Sequence, residues 1–534
     1  MFWKKKKKNT HEEELLILFG TRSGNSRLVA QQAEHFLRKN GYKTTCVNMA
    51  KYNPEKLREV RRLMAVVSTH GEGEPPEQAQ KFFHKVMTTN IGNLAELKYS
   101  VCALGDSSYE QYCKAGKDLE ERLSQLGAKP MLPRMDCDVE FSKDAARWIK
   151  ECCRVFSATN GNHKTINEPI TFKEEISNRT RFSSVVSGKK KLTSDPAQFH
   201  VYHISLEVTS PGFSYTAGDS IEILPENPVW LANKIVEHVQ LHKSENYSSE
   251  FSDLKKFLVE KAEITRLNAG TIKRYQEVAQ DAGLEQLIND KEAFIDYINK
   301  GNLLDLLLDY PCNLTDRQLM DIPPKLTPRV YSIASGPRMN PSTVDLVVKT
   351  IRYNFKNLPH EGSGSVFINE DLQPGSALEF SLEENSEFRL PADHRTPLIM
   401  IGAGTGIAPF RAFLQERSAI SAENGTWLIW GAKKQDRDSL YMAELESFKN
   451  GLILERLDTA FSQDGNPRKY VQDILDENKD EVLQWLERGA HIYVCGSIAM
   501  GKGVKSFMNQ LLESTKFKSV KNLQDMNRYH ADVY

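Results

Sequence analysis

The residues with the clearest chemical potential lie in a hydroxyl-rich loop between an apolar run and an amphipathic segment. The stretch LLILFGTRSGNSRLVAQQ, residues 15–32, brings together the hydroxyls of Thr21, Ser23 and Ser26. The free N–H groups of a helix N-terminus, helped by such hydroxyls, bind anions. The loop contains no lysine, so it is not a P-loop. The pattern indicates a site for one phosphate monoester, although a capped helix without a ligand explains the loop alone equally well.

Two further loops follow predicted strands and extend this site. They are STHGEGEPPEQAQKF, residues 68–82, and LGDSSYEQYCKAGK, residues 104–117. In an open parallel sheet, ligands lie beyond the carboxyl ends of the strands, and a flavodoxin-like strand order places FMN there. Glycine-rich turns let the backbone approach a planar ring, and Tyr109 can stack on it. The three loops together predict a flavin site.

A second set of residues combines a cation, an aromatic ring and a hydroxyl. In RVYSIAS, residues 329–335, Arg329 and Tyr331 point to one side of a strand. Arginine can neutralise a pyrophosphate and tyrosine can lie against a ring system, although an ordinary strand explains so short a motif about as well. The residues of the nearby GSGSVFINEDLQPG that can present N–H groups to a pyrophosphate are Gly362, Gly364 and Ser365.

A third set has the features of a nucleotide site. LIMIGAGTGIAPFRAFLQER, residues 398–417, has a glycine-rich turn before a helix but lacks the G-x-G-x-x-G fingerprint. TAFSQDGNPRKYVQ, residues 459–472, supplies the cations and hydroxyls that a 2′-phosphate needs. The candidate phosphate ligands there are Ser462, Arg468, Lys469, Tyr470 and Gln472.

Length, charge and cysteine content restrict the class of protein. A chain of 534 residues is expected to form about three domains. Lys+Arg 70 against Asp+Glu 71 argues against a nucleic-acid binder, and no apolar run approaches the roughly 18 residues of a membrane helix. Eight cysteines without a CxxC pair argue against structural zinc and a disulfide framework. A reducing, cytoplasmic location is therefore expected.

The order of strand-like and helix-like segments predicts a multidomain α/β chain. Strand and helix patterns alternate at both ends, and a β region interrupted by amphipathic helices lies between them. The basic tail is expected to be solvated, with contact to a membrane surface as the alternative. The predicted divisions are a basic tail 1–10, an α/β domain 11–156, a linker 157–169, a β domain 170–390 with a helical insertion at about 229–322, and an α/β domain 391–534.

In this order and spacing the motifs resemble the diflavin reductases, the family of cytochrome P450 reductase and sulfite reductase flavoproteins, over about residues 14–534. The bacterial sulfite reductase branch is the most similar. The resemblance implies a flavodoxin-like FMN domain, an FAD-binding antiparallel β-barrel with a helical connecting insertion, and a ferredoxin–NADP reductase-like NADPH domain.

The resemblance also implies which residues bind the cofactors. For FMN they are Thr21, Arg22, Ser23, Gly24, Asn25, Ser26, Ser68, Thr69, His70, Gly71, Gly73, Leu104, Gly105, Asp106, Tyr109, Tyr112, Cys113 and Asp138. For FAD they are Arg329, Tyr331, Ser332, Tyr353, Gly362, Gly364, Ser365 and Tyr534. For NADPH they are Gly404, Thr405, Ser462, Arg468, Tyr470 and Gln472.

The resemblance assigns the catalytic roles to Ser332, Cys495, Asp532 and Tyr534. The first three lie beside the nicotinamide, and the ring of Tyr534 covers the flavin until the nicotinamide arrives. The protein orients the cofactors and stabilises the shifting charge. Gln463 stands where the family usually has an arginine, so NADPH is favoured while tolerance of NADH stays open.

The implied reaction passes electrons from NADPH to FAD, then to FMN, then to an outside acceptor. The sirohaem iron–sulfur subunit of assimilatory sulfite reductase is the favoured acceptor, and a cytochrome P450 or another haemoprotein is the alternative. A flavin-binding scaffold without turnover is a third hypothesis. The acids near the FMN loops, which either steer a basic partner or are merely solvated, are Glu72, Glu74, Glu77, Asp106 and Glu110.

Overall fold

The computed structural model describes most of the chain. The described residues are 14–21, 24–69, 73–89, 91–107, 111–139, 141–159, 170, 180–195, 199–241, 251–422, 425–465 and 467–534. The basic tail 1–10 and most of the predicted linker 157–169 lie outside them, as do residues 171–179 at the start of the predicted β domain. The predicted site residues that also lie outside the described residues are Arg22, Ser23, His70, Gly71 and Tyr109.

The first segment forms a parallel sheet with crossover helices, as predicted. Its strands pair in the order β2-β1-β3-β4-β5, and β6 also pairs with β4. β1 is buried along its whole length, because helices cover both faces of such a sheet. The strands are β1 (Leu15–Gly20), β2 (Thr44–Asn48), β3 (Arg62–Ser68), β4 (Lys98–Leu104), β5 (Lys129–Pro130) and β6 (Met135–Cys137). The helices are α1 (Asn25–Lys39), α2 (Glu77–Thr88), α3 (Lys114–Gln125) and α4 (Ser142–Thr159).

The middle segment contains a six-stranded antiparallel sheet in the order β10-β9-β14-β7-β8-β11 and a β12–β13 hairpin. The sequence patterns did not predict β7. Most of its residues are polar, and it buries only two side chains, those of Ser184 and Val186. The strands are β7 (Arg181–Lys191), β8 (Val201–Val208), β9 (Ser220–Ile223), β10 (Arg329–Ser332), β11 (Thr343–Lys349), β12 (Arg352–Phe355), β13 (Leu358–Glu361) and β14 (Ala377–Glu383).

All but the last of the helices in this segment lie in the predicted insertion, and the last one follows β13. They are α5 (Val229–Leu241), α6 (Phe251–Glu260), α7 (Ala269–Ala279), α8 (Ala282–Asn289), α9 (Lys291–Lys300), α10 (Leu303–Asp309), α11 (Asp316–Asp321) and α12 (Ser363–Val366). The contacts within the chain divide it into two compact units. Residues 1–178 and 268–299 form the first, and residues 179–267 and 300–534 form the second. The predicted domain boundaries therefore stay a prediction.

The last segment is a second parallel sheet, in the order β17-β16-β15-β18-β19. Its strands are β15 (Leu398–Ala403), β16 (Thr426–Ala432), β17 (Arg456–Phe461), β18 (His491–Gly496) and β19 (Tyr529–Val533). Its helices are α13 (Ala408–Ala419), α14 (Gln435–Asp438), α15 (Met442–Asn450), α16 (Val471–Glu477), α17 (Lys479–Glu487), α18 (Ile498–Leu512) and α19 (Val520–Asp525). Within the described ranges, no helix combines the length and apolarity needed to span a membrane.

Two neighbouring histidines on β18 and β19 make the stability of this sheet depend on pH. The rings of His491 and His530 stack with centroids 5.6 Å apart, and His491 Nδ1 lies 3.3 Å from His530 Nε2. Burial, followed by the charges of His530 and Arg528, lowers the pKa of His491 to about 4.

We expect the protein to lose stability as the pH falls from about 6.5 toward 4. The folded state keeps His491 neutral, whereas the unfolded chain takes up a proton below its ordinary pKa, so acid favours unfolding. The loss attributable to His491 is roughly 2 kcal/mol near pH 4.5. Denaturant titrations at several pH values measure it. His491→Gln should flatten this part of the profile, and an unchanged slope in the variant would contradict the assignment.

Candidate flavin and nucleotide sites

The loop between β1 and α1 is shaped to hold an anion. Gly24 has a left-handed backbone with φ 88°, and its N–H donates to Thr21 Oγ1 at 2.9 Å. No acidic residue lies in the first turn of α1, which begins at Asn25. The Ser26 side chain is fully buried, and its Oγ has no hydrogen-bond partner among the described residues. A buried hydroxyl without a partner at a helix N-terminus fits a bound phosphate, so the loop suits FMN.

Ser26→Ala should affect FMN binding and protein stability in different directions. The variant loses a hydroxyl that can donate to the phosphate, so we expect the FMN dissociation constant to rise about tenfold. The FMN-free protein should be as stable as the wild type or slightly more stable, because the variant no longer buries an unpaired polar atom. Fluorescence titration with FMN and thermal unfolding of the FMN-free protein test both. A less stable FMN-free variant would show that Ser26 has a protein partner.

The loops that follow β3 and β4 are braced by backbone contacts. Thr69 N donates to Leu104 O at 2.9 Å, and Thr69 Oγ1 accepts from Ala115 N at 3.2 Å. The Asp138 carboxylate accepts from Ser107 N at 3.0 Å and so holds the loop after β4. The structure places several of the predicted FMN residues on these two loops or at the ends of the strands before them. They are Ser68, Thr69, Gly73, Leu104, Gly105, Asp106, Tyr112 and Cys113.

Close packing explains the glycine at position 105. A Cβ there would lie 2.9 Å from Cys113 N and 2.9 Å from Tyr112 Cδ2. Cys113 itself adopts a left-handed backbone with φ 56°, and α3 begins at the next residue. Gly105 therefore packs directly against Tyr112 and Cys113, immediately before the first residue of α3.

The predicted FAD motif is assembled at β10. Arg329 NH2 lies 2.5 Å from the buried carboxylate of Glu263 and 3.0 Å from Ser363 Oγ. A Cβ on Gly364 would lie 2.6 Å from both Arg329 Cγ and the Tyr331 hydroxyl. The glycine-rich turn therefore lies directly against the arginine and the tyrosine. Burial raises the pKa of Tyr331 to about 12, so its hydroxyl stays protonated.

Tyr353 is held by a separate set of contacts. Its ring stacks on His360 with centroids 5.1 Å apart and an angle of 23°, and its hydroxyl donates to Lys300 O at 2.9 Å. His360 Nε2 lies 2.6 Å from Asp305 Oδ2. Ser365 Oγ accepts from the N–H of Ile351, two residues before Tyr353, at 3.0 Å. The β12–β13 hairpin is thereby fixed to α10 and to the turn predicted to bind the FAD pyrophosphate.

Three of the four predicted catalytic residues meet where β10 approaches the second parallel sheet. Ser332 Oγ donates to Asp532 Oδ2 at 3.2 Å. Asp532 is the register partner of Cys495 across β18 and β19. Burial, and then the nearby Asp532, raises the pKa of the fully buried Cys495 thiol, which therefore stays protonated and is not a nucleophile. A Cβ on Gly406 would lie 2.2 Å from Cys495 O, so the glycine-rich turn packs directly on β18.

Tyr534 is anchored by its backbone and tethered by its hydroxyl. Its N–H donates to Gly496 O at 3.0 Å, and its carbonyl accepts from Ile498 N at 3.1 Å. Its hydroxyl lies 2.8 Å from Thr405 Oγ1, and the residue is 56% exposed. The ring can therefore swing only by side-chain rotation, and the Thr405 bond holds it over the turn that starts at Gly404, whose φ is 57°.

The predicted 2′-phosphate cluster is only partly available for a ligand. Lys469 Nζ pairs with Glu477 at 2.8 Å, and Gln472 Nε2 lies 3.5 Å from Met500 O. Arg468 and Tyr470 are exposed, and no hydrogen bond or ion pair of the Arg468 side chain is found in the part of the chain that the structure describes. Arg468 is therefore the cation that remains open to a phosphate. Ser462 N donates to Ala432 O at 3.0 Å, which joins the ends of β16 and β17.

Arg411, at the start of the helix that follows the GAGTG turn, joins two parts of the structure. Arg411 donates to Asp345 Oδ2, to Ala334 O and to Glu444 Oε2, each at 2.8 Å. Asp345 lies on β11, so this arginine ties α13 to the antiparallel sheet. The spacing of the motif gives no signal of this contact, because its partners are distant in sequence.

Comparisons with known proteins agree with this arrangement. The flavodoxin family model matches residues 17–148, and the oxidoreductase NAD-binding domain model matches residues 400–506. The chain is 32% identical to the sulfite reductase (NADPH) flavoprotein alpha-component of Bacillus subtilis (strain 168), covering 98% of this chain and 89% of that protein.

Other relatives carry the same description. Identity is 33% with the sulfite reductase (NADPH) flavoprotein alpha-component of Photobacterium profundum, over 98% of this chain and 89% of that protein. Identity is also 33% with the sulfite reductase (NADPH) flavoprotein alpha-component of Shewanella oneidensis, over 98% of this chain and 90% of that protein. These matches run through the flavin loops, the helical insertion and the nucleotide segment alike. The chain is thus an oxidoreductase that belongs to the family of the sulfite reductase (NADPH) flavoprotein alpha-components.

Proposed function

We propose that the protein delivers electrons from NADPH to the sirohaem iron–sulfur subunit of an assimilatory sulfite reductase, in the cytoplasm. Its family membership makes it an NADPH-dependent diflavin oxidoreductase that uses FMN, FAD and NADPH. The name of its relatives, sulfite reductase (NADPH) flavoprotein alpha-component, supports the acceptor, and eight free cysteines support the reducing compartment. When bound, the nicotinamide would supply a hydride, which carries two electrons, and the flavins would supply the capacity to accept that pair and release the electrons singly.

The observation that carries the NADPH-oxidising part of the proposal is the arrangement of Ser332, Asp532 and Cys495. The Ser332 hydroxyl orients the Asp532 carboxylate through their 3.2 Å hydrogen bond. The carboxylate can stabilise positive charge that develops on a nicotinamide ring. Cys495 adds a neutral, buried side chain that keeps water out of the same place. We propose that Arg329 and the Gly362–Ser365 turn hold the FAD pyrophosphate, and that the β1–α1 loop holds the FMN phosphate.

Reconstitution tests the acceptor directly. The purified, flavin-loaded protein is mixed with a sirohaem sulfite reductase subunit, and NADPH oxidation is followed with and without sulfite. We expect oxidation to depend on sulfite and on the subunit. Electron delivery to a cytochrome P450 but not to the sirohaem subunit would favour a general haemoprotein reductase instead. No oxidation with any acceptor, with both flavins bound, would indicate a scaffold.

The nucleotide preference should be modest. Arg468 is the exposed cation of the selector segment, and Gln463 stands where a second guanidinium would be expected. One charge-assisted contact corresponds to about tenfold to a hundredfold in affinity, so we expect kcat/KM for NADPH to exceed that for NADH by that order. Steady-state rates with both nucleotides measure it. Arg468→Gln should remove most of the difference, and an NADH value equal to that of NADPH in the wild type would contradict the preference.

A further inference from the structure

A buried carboxylate in the helical insertion lies beside the predicted FAD site. The Glu263 side chain is only 7% exposed. Its Oε1 accepts from Thr265 N at 3.3 Å and Thr265 Oγ1 at 2.8 Å. Its Oε2 lies 2.5 Å from Arg329 NH2 and 3.1 Å from Arg266 NH2. Both oxygens are thus engaged, and one of them contacts the arginine expected to meet the FAD pyrophosphate.

The chain brings Glu263 to this place through a short pairing at the base of the insertion. Glu263 N donates to Pro324 O at 2.8 Å, and Leu326 N donates to Lys261 O at 2.7 Å. These bonds join the segment after α6 to the segment that leads into β10. The carboxylate therefore sits beside Arg329, the first residue of β10, although 66 positions separate the two in sequence.

The contacts fix the Arg329 guanidinium on two sides. NH2 is held by Glu263 and Ser363, while NH1 donates to Thr327 O at 2.5 Å and Thr327 Oγ1 at 3.0 Å. The aliphatic part of the Arg329 side chain packs against the Gly364 turn, where a Cβ on Gly364 would lie 2.6 Å from Arg329 Cγ. An arginine held this way loses little further side-chain freedom when it binds a phosphate.

The local charge remains suited to an anion. Burial opposes ionisation of Glu263, but Arg329 and Arg266 prevail and hold the pKa of that carboxyl below its usual value. One carboxylate between two guanidiniums leaves a net positive charge in the group. Arg266 is 61% exposed, so it offsets Glu263 without being locked in place.

We propose that Glu263 is a positioning residue of the FAD site: it sets the Arg329 guanidinium against the Gly362–Ser365 turn, and Arg266 offsets its charge. The inference rests on the proposed FAD role of Arg329. It gives the helical insertion a direct part in holding the flavin, because the carboxylate belongs to the insertion and the arginine to the sheet.

A double-mutant cycle on the full chain tests it. FAD dissociation constants are measured by flavin fluorescence for the wild type, Glu263→Gln, Arg329→Lys and the double variant. We expect Glu263→Gln to weaken FAD about tenfold, and to weaken it no further when Arg329 is already lysine. FMN content should be unchanged in all four. Glu379→Gln, an exposed glutamate on β14, is the matched control and should leave FAD binding unchanged.

The outcomes separate the alternatives. Unchanged FAD affinity in Glu263→Gln would overturn the inference. It would also be overturned if Glu263→Gln weakened FAD binding as much in the Arg329→Lys background as in the wild type, because Glu263 would then only stabilise the insertion. Wild-type FAD affinity in Arg329→Lys would overturn the proposed FAD site itself. If Glu263→Gln does not fold, Glu263→Asp replaces it: the shorter side chain keeps the charge but withdraws it from Arg329, so the same loss is expected.

Discussion

Replacing Asp532 by asparagine should slow the reduction of FAD by NADPH about 100-fold while both flavins stay bound. Asparagine keeps the size of the side chain and an oxygen that can accept from Ser332 Oγ, now 3.2 Å from the carboxylate. It removes the negative charge that, in the proposed mechanism, stabilises the positive charge developing on the nicotinamide. Stopped-flow absorbance of the flavin measures the reduction, and flavin release after denaturation measures FMN and FAD content.

Two other variants complete this test. Cys495→Ala should also slow reduction, though less, because the thiol is neutral and contributes packing rather than charge. Asp525→Asn, at the end of α19, is the control and should leave the rate unchanged. Wild-type rates in both Asp532→Asn and Cys495→Ala would remove these residues from the mechanism.

Tyr534→Ala should tighten nucleotide binding by up to about tenfold, because, in the arrangement that the family resemblance implies, the nicotinamide would no longer have to displace the Tyr534 ring from the flavin. The affinities for NADPH and NADH rise by the same factor. At a fixed low concentration the enzyme is then nearly saturated with NADPH, so its rate with NADPH changes little while its rate with NADH rises. The apparent preference for NADPH therefore relaxes. Titration with NADP⁺ gives the affinity, and initial rates at equal concentrations of NADPH and NADH give the preference.

Tyr534→Phe separates the ring from the hydroxyl. It keeps the stacking surface but loses the 2.8 Å contact with Thr405 Oγ1, so its affinity should lie between those of the wild type and Tyr534→Ala. A Tyr534→Ala protein with unchanged affinity and preference would mean that the ring does not act as a gate.

Local patterns were sufficient for most of the architecture. The alternation of strand and helix patterns predicted for the first segment is present in β1 to β4 and the helical segments that join them. The almost wholly buried β1, β3 and β4 are typical of a parallel sheet covered on both faces. The family resemblance implied a flavodoxin-like domain, and the strand order β2-β1-β3-β4-β5 confirms it. β7 was missed, since a half-exposed strand with few large apolar residues has no strong periodic signal.

The sequence by itself determined which chemically active residues each motif contains: the hydroxyls of the β1–α1 loop, the residues of the Arg329–Ser332 strand, the glycine of the Gly404 turn and Asp532. The family resemblance already grouped Ser332 with Asp532, and the structure adds their direct hydrogen bond across 200 positions. Only the tertiary structure decided that Arg411 contacts Asp345. It also placed Glu263 beside Arg329. Such pairs depend on how distant segments pack, and packing leaves no trace in the local spacing from which motifs are recognised.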